Sequence, residues 1–162
     1  MPIESPGVPG AAPLSTARRF DHAGLEILDE AECLTRLGAV PVGRLVFTQG
    51  GLPAVRLVNF VVDDEAIVFA TSDGDKYRAA ERGDVVAFEV DDIDIERHLG
   101  WTVTAVGHLS VVEPERAQEL APTLTLHPWA PNNPGHLIEL QIESLAGRRL
   151  VAWGQRPHDP PD

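Results

Sequence analysis

The stretch that decides the fold is residues 54–78, AVRLVNFVVDDEAIVFATSDGDKYR. It contains two runs rich in valine, isoleucine and phenylalanine, residues 54–62 and 66–71, separated by the acidic residues 63–65. β-Branched and aromatic residues favour strands, and a short polar interval between two such runs is typical of a hairpin. The stretch therefore predicts two adjacent antiparallel strands.

Apolar side chains lie on both faces of the first of these strands. Successive side chains of a strand point to opposite faces. One face carries Val55, Leu57 and Val61, and the other carries Val58, Phe60 and Val62. A small barrel covers only its inner face, so we expect a second subunit to cover the outer one. The pattern therefore predicts a homodimer.

Strand and turn signals continue on both sides of this hairpin. Short helices are expected at 29–37, 76–82 and 113–120, and further strands at 44–48, 85–90, 101–112, 138–142 and 150–153. The strand at 101–112 alternates most clearly, because Trp101, Val103, Ala105, Leu109 and Val111 share one face. Strands linked by hairpins predict a mainly β protein with an antiparallel barrel rather than a parallel sheet.

Proline placement marks the two ends of the folded region. Of the 14 prolines, four fall within residues 2–13 and three within 157–161. These ends also contain few large apolar residues, so disordered tails are expected at 1–24 and 154–162. One folded domain is expected at 25–153, and 162 residues is a suitable length for a single domain.

The charge balance is strongly acidic. Asp and Glu number 25 against 13 Lys and Arg, which gives a formal net charge of −12, and Lys76 is the only lysine. Nucleic acid and anionic membranes attract basic proteins, so neither is expected as a partner. No apolar run is long enough to span a membrane. The single cysteine, Cys33, excludes an internal disulfide and is interpreted as a packing residue, so a cytoplasmic location is expected.

The loop after the second strand carries groups suited to a phosphate. Thr71 and Ser72 offer hydroxyls, Gly74 precedes the predicted helix, and Lys76 offers an ammonium. Backbone N–H groups at a helix N-terminus also favour an anion. Arg56 on the preceding strand is placed to reach the same ligand. The alternative interpretation is an ordinary loop with a capped helix and a solvated lysine.

Four motifs resemble those of a known family. They are VGRLVF at 42–47, PAVRLVNFVVDDEAIVFATSDGDKYRAAERG at 53–83, VVAFEVDDID at 85–94 and GWTVTAVGHLSVV at 100–112. Their order resembles the pyridoxamine 5′-phosphate oxidase-like proteins, in particular the small bacterial branch near the nitroimidazole-resistance proteins. The resemblance covers residues 25–153. It implies a six-stranded antiparallel split β-barrel with a few short helices, and a homodimer with flavin sites at the subunit interface.

The resemblance also implies a flavin-binding oxidoreductase that acts on a small-molecule substrate. FMN is the expected cofactor, and the deazaflavin F420 is the alternative. The residues that the resemblance places at the cofactor are Arg56, Leu57, Val58 and Asn59 on one strand, Ala70, Thr71, Ser72 and Lys76 after the next, and Glu89 and Trp101. Leu57, Val58 and Phe69 are expected to form an apolar wall beside the flavin ring. No residue stands out as a general base.

Two acidic residues depart from the family pattern. Relatives commonly place Ser or Thr at the position of Asp75, and Asp73 lies two residues earlier. A carboxylate beside a phosphate is repulsive. The alternative functions are therefore a protein that holds a flavin or another planar ligand without turnover, and a split barrel without a cofactor.

Three further features have weaker functional interpretations. The acidic run 89–98 offers oxygen donors to a divalent metal, but it lacks the spacing of a calcium loop, so no metal site is predicted. His108 lies on the polar face of its strand. A third candidate function is haem binding or nitro-compound chemistry through this histidine. Trp129 lies in a proline-rich loop and either covers the partner's pocket or pins the loop to the barrel.

Overall fold

The computed structural model describes residues 17–72, 74–120, 135–152 and 154–156. In chain order the elements are β1 (Arg19–Phe20), β2 (Glu26–Leu28), α1 (Glu30–Leu37), β3 (Val42–Gln49), β4 (Leu52–Asp63), β5 (Ala66–Thr71), α2 (Asp75–Arg82), β6 (Val85–Asp94), β7 (Leu99–Val111), α3 (Pro114–Leu120) and β8 (His136–Leu150). All strand pairings in this part of the chain are antiparallel, in the order β1-β2-β8-β5-β4-β3-β6-β7, and β7 also pairs with β8. That last pairing closes the six long strands into a barrel, which confirms the predicted fold class.

The barrel opens between β4 and β5. These two strands pair only where Phe60–Asp63 faces Ala66–Phe69, whereas β4 pairs with β3 over its first eight residues. The end of β5 therefore separates from β4 and leads into α2, which lies against β3, β7 and β8. This opening is the split of the barrel, and the predicted phosphate-binding loop lies beside it.

The barrel interior is filled by aromatic and aliphatic side chains. The fully buried ones include Leu45, Ile67, Phe69, Phe88, Leu109, Ile138 and Leu140. Phe60 packs edge-on against Phe88 with a distance of 4.8 Å between ring centroids, a favourable arrangement for two aromatic rings. The predicted alternation of β7 is confirmed, because its apolar face is buried while His108 and Ser110 are exposed.

Two helices pack against opposite ends of β7 and β8. The Asp29 side chain caps α1 by accepting from the Glu32 amide at 2.8 Å, and Cys33 of this helix is buried against Gly147 of β8. At the other end, α2 buries Ala79 and ends at Gly83, whose φ of 68° is the left-handed conformation that favours glycine. The two helices thus close the two ends of the barrel.

The C-terminal end of the sheet differs from the prediction. A separate seventh strand at 150–153 is wrong, because Leu150 is the last residue of the long strand β8 and Val151 and Ala152 are not in a strand. Trp153 lies outside the described residues. The short predicted strand at 138–142 missed this length, since glycine and arginine residues in β8 interrupt the apolar alternation that indicates a strand.

A short N-terminal hairpin begins upstream of the predicted domain start at Leu25 and ends within the predicted domain. β1 pairs with β2, and β2 pairs in turn with the end of β8. The Asp21 carboxylate accepts from the amide of Ala23 at 2.9 Å and from that of Leu25 at 3.0 Å, which closes the turn between the two strands. The hairpin therefore extends the sheet by two short strands.

Candidate functional site

The candidate site lies at the opening of the barrel, where Arg56 of β4 meets the first turn of α2. Lys76 of that turn is partly buried. Burial lowers the pKa of Lys76 below its ordinary 10.5, the nearby Arg56 guanidinium lowers it further, and the Asp75 carboxylate opposes both. The two cations are therefore close enough to repel each other, as the sequence predicted when it assigned them to one ligand.

Contacts that carry no charge hold the Arg56 guanidinium in place. It donates to the side-chain oxygen of Gln49 at 2.9 Å and to the carbonyl of Val55 at 2.9 Å. Its central carbon lies 6.0 Å from the centroid of the Phe47 ring, at the outer limit of a cation–π contact. The side chain is exposed, so the rest of the guanidinium faces solvent or a ligand.

Neither cation forms an ion pair with a carboxylate among the described residues. The ion pairs of the described chain involve other arginines and His108, and Lys76 donates no hydrogen bond there. Two nearby positive charges that form no ion pair with a described carboxylate are an unfavourable arrangement, which Asp75 beside Lys76 offsets only in part. An anion bound between Arg56 and Lys76 would relieve it.

Asp75 does not stand alone beside Lys76. Its carboxylate accepts from the guanidinium of Arg78, one turn later in α2, and from the side-chain amide of Gln49. These contacts offset part of the negative charge that the sequence pattern placed against a phosphate. Asp73, the other acidic residue of that pattern, lies outside the described residues.

The end of β5 supplies polar groups at the same place. Thr71 is 5% exposed, and its hydroxyl donates to the carbonyl of Ser72 at 3.2 Å, while the Ser72 side chain is exposed. Ala70 precedes them and is partly buried. The residue before α2 is Gly74, which has no side chain to cap the first N–H groups of the helix. These N–H groups add donors next to Lys76.

The remaining predicted residues of β4 alternate between its two faces. Val58 is buried, Leu57 is 61% exposed on the outer face, and Asn59 is partly buried. The expectation that Phe69 contacts a flavin ring is wrong, because Phe69 is fully buried inside the barrel. Its apolar character reflects the core, and Leu57 is the exposed member of the predicted apolar wall.

Glu89 and Trp101 lie apart from Lys76 in the same chain. Glu89 is on the outer face of β6, where it accepts from Arg44 at 2.9 Å and from the Thr102 hydroxyl at 3.0 Å. Trp101 is buried near the α1 end of β7, with the Arg36 guanidinium 5.4 Å from its ring centroid. The residue of β7 that bonds the loop after α2 is Leu109, eight residues further on and thus roughly 26 Å away.

Two residues of the site were missed by the sequence argument. Arg78 was detectable, since it follows Asp75 by three residues at the start of a predicted helix, a spacing at which opposite charges meet. Gln49 gave no signal, because the glycines that follow it, Gly50 and Gly51, indicate a turn and not a side-chain contact. Its contact with Asp75 depends on how α2 packs against the β3–β4 hairpin, which periodicity does not specify.

Other candidate groups have different surroundings. The Nδ1 atom of His108 lies within hydrogen-bond distance of the Glu143 carboxylate on the outer face of the barrel. Asp91 pairs with Arg44, and the described residues contain no cluster of three or more His, Cys, Asp or Glu placed to hold a metal. Burial raises the pKa of the Cys33 thiol, which fits a packing role. Trp129 lies outside the described residues.

None of the helices in the described ranges is both long and apolar enough to cross a bilayer.

The chain is similar to known proteins along most of its length. Residues 29–149 match the family model described as pyridoxamine 5′-phosphate oxidase. The uncharacterized protein Rv0080 of Mycobacterium tuberculosis (strain ATCC 25618 / H37Rv) is 35% identical over 162 residues, which covers 94% of this chain and 99% of that protein.

Two solved structures have the same fold and 30% sequence identity. One is an FAD binding protein from Mycobacterium smegmatis, with a TM-score of 0.64 over 77% of this chain and 99% of that one. The other is a conserved protein of unknown function from Corynebacterium diphtheriae, with a TM-score of 0.64 over 79% of this chain and 99% of that one. With its closed ring of six long strands and its match over 29–149, the chain belongs to the pyridoxamine 5′-phosphate oxidase-like family of split β-barrel proteins.

Proposed function

We propose that this protein binds a flavin phosphate between Arg56 and Lys76 and works as a small flavin-dependent oxidoreductase. The observation that carries the proposal is that these two cations lie near each other and that neither forms an ion pair with a carboxylate among the described residues. A phosphate dianion supplies the missing counter-charge and accepts several hydrogen bonds at once. The family and a relative described as an FAD binding protein support a flavin as the ligand.

Each group at the opening has a distinct task in this proposal. Lys76 provides a point charge, and Arg56 provides a planar set of donors that matches phosphate oxygens. Ser72 and the first N–H groups of α2 add uncharged donors, while the Thr71 hydroxyl donates to the Ser72 carbonyl. A bound flavin supplies the hydride and electron chemistry, while the protein binds and orients it. FMN is the first choice, and FAD, F420 and haem are the comparisons to make.

The outer face of the barrel supports a homodimer. Val55 and Leu57 of β4 are 53% and 61% exposed, although both are apolar. In the register of the sheet, Val55 faces Val46 of β3, which faces Ala87 of β6, which faces Val106 of β7. An apolar row across four strands is typical of a surface that a partner covers. We infer that a second copy covers it and that the flavin lies at this interface.

Sedimentation velocity tests the dimer. The wild type should sediment as a dimer at micromolar concentration, and Leu57→Asp should give a monomer, because the substitution places a charge in both copies of the interface. Ile95→Asp is the matched control, since Ile95 is 80% exposed in the β6–β7 hairpin, away from this row. A monomeric wild type contradicts the homodimer.

Titration with FMN, FAD, F420 and haem tests the cofactor. The purified protein should take up a flavin with a defined stoichiometry, and a substitution of Lys76 should weaken that uptake. Once flavin binds, reduction by a nicotinamide donor followed by reoxidation tests the oxidoreductase activity. A protein that takes up no flavin contradicts the binding proposal. A protein that binds flavin without turnover contradicts the oxidoreductase activity and favours the alternative of a protein that holds a flavin without catalysis.

A further inference from the structure

The side-chain amide of Gln49 links the two charged halves of the candidate site. Its oxygen accepts from the Arg56 guanidinium at 2.9 Å, and its nitrogen donates to the Asp75 carboxylate. Asp75 is bonded in turn to Arg78. The side chains of Arg56, Gln49, Asp75 and Arg78 therefore form one continuous hydrogen-bond network across β4, β3 and α2.

The neighbours of Gln49 require the orientation in which its amide lies. A guanidinium only donates and a carboxylate only accepts, so the amide must face Arg56 with its oxygen and Asp75 with its nitrogen. A reversed amide would face donor to donor and acceptor to acceptor. The side chain therefore has one favoured arrangement, and it fixes the relative position of Arg56 and α2.

The backbone around Gln49 supports this role. Gln49 is the last residue of β3 and precedes Gly50 and Gly51, whose φ values of 57° and 81° form the turn to β4. The turn places β4 next to β3, with Leu52 opposite Gln49 and Arg56 opposite Leu45. Because α2 contacts β3, the amide reaches Asp75 in the first turn of the helix that also carries Lys76.

We infer that Gln49 is a positioning residue for phosphate binding: it holds the Arg56 guanidinium in place toward the ligand and helps to hold the Asp75 carboxylate toward Arg78. The inference rests on the proposed function, because it assigns a role within the same site. An arginine side chain has many rotamers, and restraining it before the ligand arrives lowers the entropic cost of binding. Gln49 binds no phosphate itself in this account.

Comparison of FMN with riboflavin tests the inference, since riboflavin has the same ring and lacks the phosphate. Gln49→Ala should weaken FMN binding by about tenfold and leave riboflavin binding unchanged. Gln49→Glu should weaken FMN binding more, because the new carboxylate pairs with Arg56 and supplies the counter-charge. Gln141→Ala is the matched control, since Gln141 is exposed on β8, and it should leave both affinities unchanged.

A double-mutant cycle with Arg56→Ala separates positioning from a general effect on the fold. If Gln49 acts through Arg56, Gln49→Ala should add little to the loss in the Arg56→Ala protein. Equal losses for FMN and riboflavin, full additivity in the cycle, or wild-type FMN affinity in Gln49→Glu would each overturn the inference. A wild type that binds FMN no better than riboflavin would instead overturn the phosphate site on which the inference rests.

Discussion

Two groups of cationic side chains in this protein have opposite surroundings. In the first, called here the N-terminal ion cluster and made of Arg18, Glu26, Glu32, Arg36 and Arg149, carboxylates lie between the guanidinium groups. Glu26 is 5% exposed and meets Arg18 at 2.7 Å and Arg149 at 2.8 Å, and Glu32 meets Arg36 at 2.9 Å and Arg149 at 3.0 Å. In the second group, Arg56 and Lys76 lie together without a carboxylate between them in the described chain.

The difference distinguishes a structural group of charges from a binding site. In the N-terminal ion cluster each guanidinium group pairs with a carboxylate, and the cluster ties β2 and α1 to the end of β8. Hydrogen bonds from Arg18 and Arg149 lower the pKa of Glu26 to about 2, against an ordinary 4.5. At Lys76 the pKa is lowered by burial and by another cation, so the charged form is disfavoured there. A site that disfavours its own charge is suited to an external anion.

The largest expected effect is on stability, from a change in the N-terminal ion cluster. Glu26→Gln should lower the free energy of unfolding by about 2 kcal/mol at neutral pH, because two guanidinium groups lose a buried carboxylate partner. Urea unfolding followed by circular dichroism measures this change. Glu96→Gln, in an exposed hairpin loop, is the control and should change stability little. The FMN affinity of the folded Glu26→Gln protein should remain that of the wild type.

The same carboxylate predicts a pH dependence. The pKa of Glu26 is lower in the folded protein than in the unfolded one, so its contribution to stability is present above pH 4.5 and is lost as the pH falls toward about 2. Unfolding measured across this interval should show a smaller acid-induced loss in Glu26→Gln than in the wild type. An equal loss in both proteins would contradict the assignment of Glu26 as the buried acid of the cluster.

The next largest effect is on FMN binding, from a change in the pair Arg56 and Lys76. Lys76→Met keeps most of the aliphatic stem and removes the charge, so it should weaken FMN binding by about tenfold to a hundredfold, the size expected for a charge-assisted hydrogen bond. Fluorescence titration measures the affinity, and riboflavin binding should stay unchanged. Arg19→Met, at an exposed position of β1, is the control. Equal FMN affinity in Lys76→Met and wild type would remove Lys76 from the site.

The comparison also predicts opposite signs for stability. Without flavin, Lys76→Met should leave the free energy of unfolding unchanged or raise it by about 0.5 kcal/mol, because it removes a disfavoured charge beside Arg56. The lowered pKa of Lys76 means that its charge destabilises the fold at neutral pH, and that this penalty begins to fall as the pH passes the lowered pKa and is gone above the ordinary 10.5. A loss of stability comparable with that of Glu26→Gln would show that Lys76 has a structural partner.

The smallest effect is expected at Asp75. The sequence pattern alone predicts that Asp75→Ser tightens FMN binding, since it removes a carboxylate near the phosphate. The contacts with Arg78 and Gln49 oppose this, because the same substitution releases Gln49. We therefore expect the FMN affinity to change by less than about threefold. A tenfold gain in FMN affinity would show that repulsion between Asp75 and the phosphate dominates. A tenfold loss would show that the anchoring of Gln49 by Asp75 dominates.

The sequence predicted the frame of the site because that frame depends on local sequence patterns. The strand at 66–71 follows from its run of β-branched and aromatic residues, and the helix that begins beside it ends at Gly83. Together they bring Lys76 next to the end of the strand. The proximity of Arg56 follows from the hairpin. In contrast, Phe69 was assigned to a ligand although it belongs to the core, since apolar residues on both faces of a strand do not reveal which face is covered.

The contacts between elements could not be predicted in the same way. Gln49 and Asp75 are 26 residues apart in sequence and meet only because α2 packs against the β3–β4 hairpin. Trp101 lies near one end of β7, and α2 with Lys76 packs near the other end. In the proposed dimer, the distance from Trp101 to a cofactor depends on the position of the partner chain, which cannot be read from a single sequence. Long-range side-chain contacts require the three-dimensional packing, whereas the strands and short helices do not.

The most direct test of the central claim uses the only lysine in the chain. Protein labelled with ¹³C-lysine gives one side-chain NMR signal, that of Lys76, whose pKa can be followed by titration with and without FMN. The account predicts a pKa below 10.5 in the free protein and a higher pKa once FMN is bound, because the phosphate stabilises the charged ammonium. A pKa and chemical shift unaffected by FMN would contradict the assignment of Arg56 and Lys76 as a phosphate site.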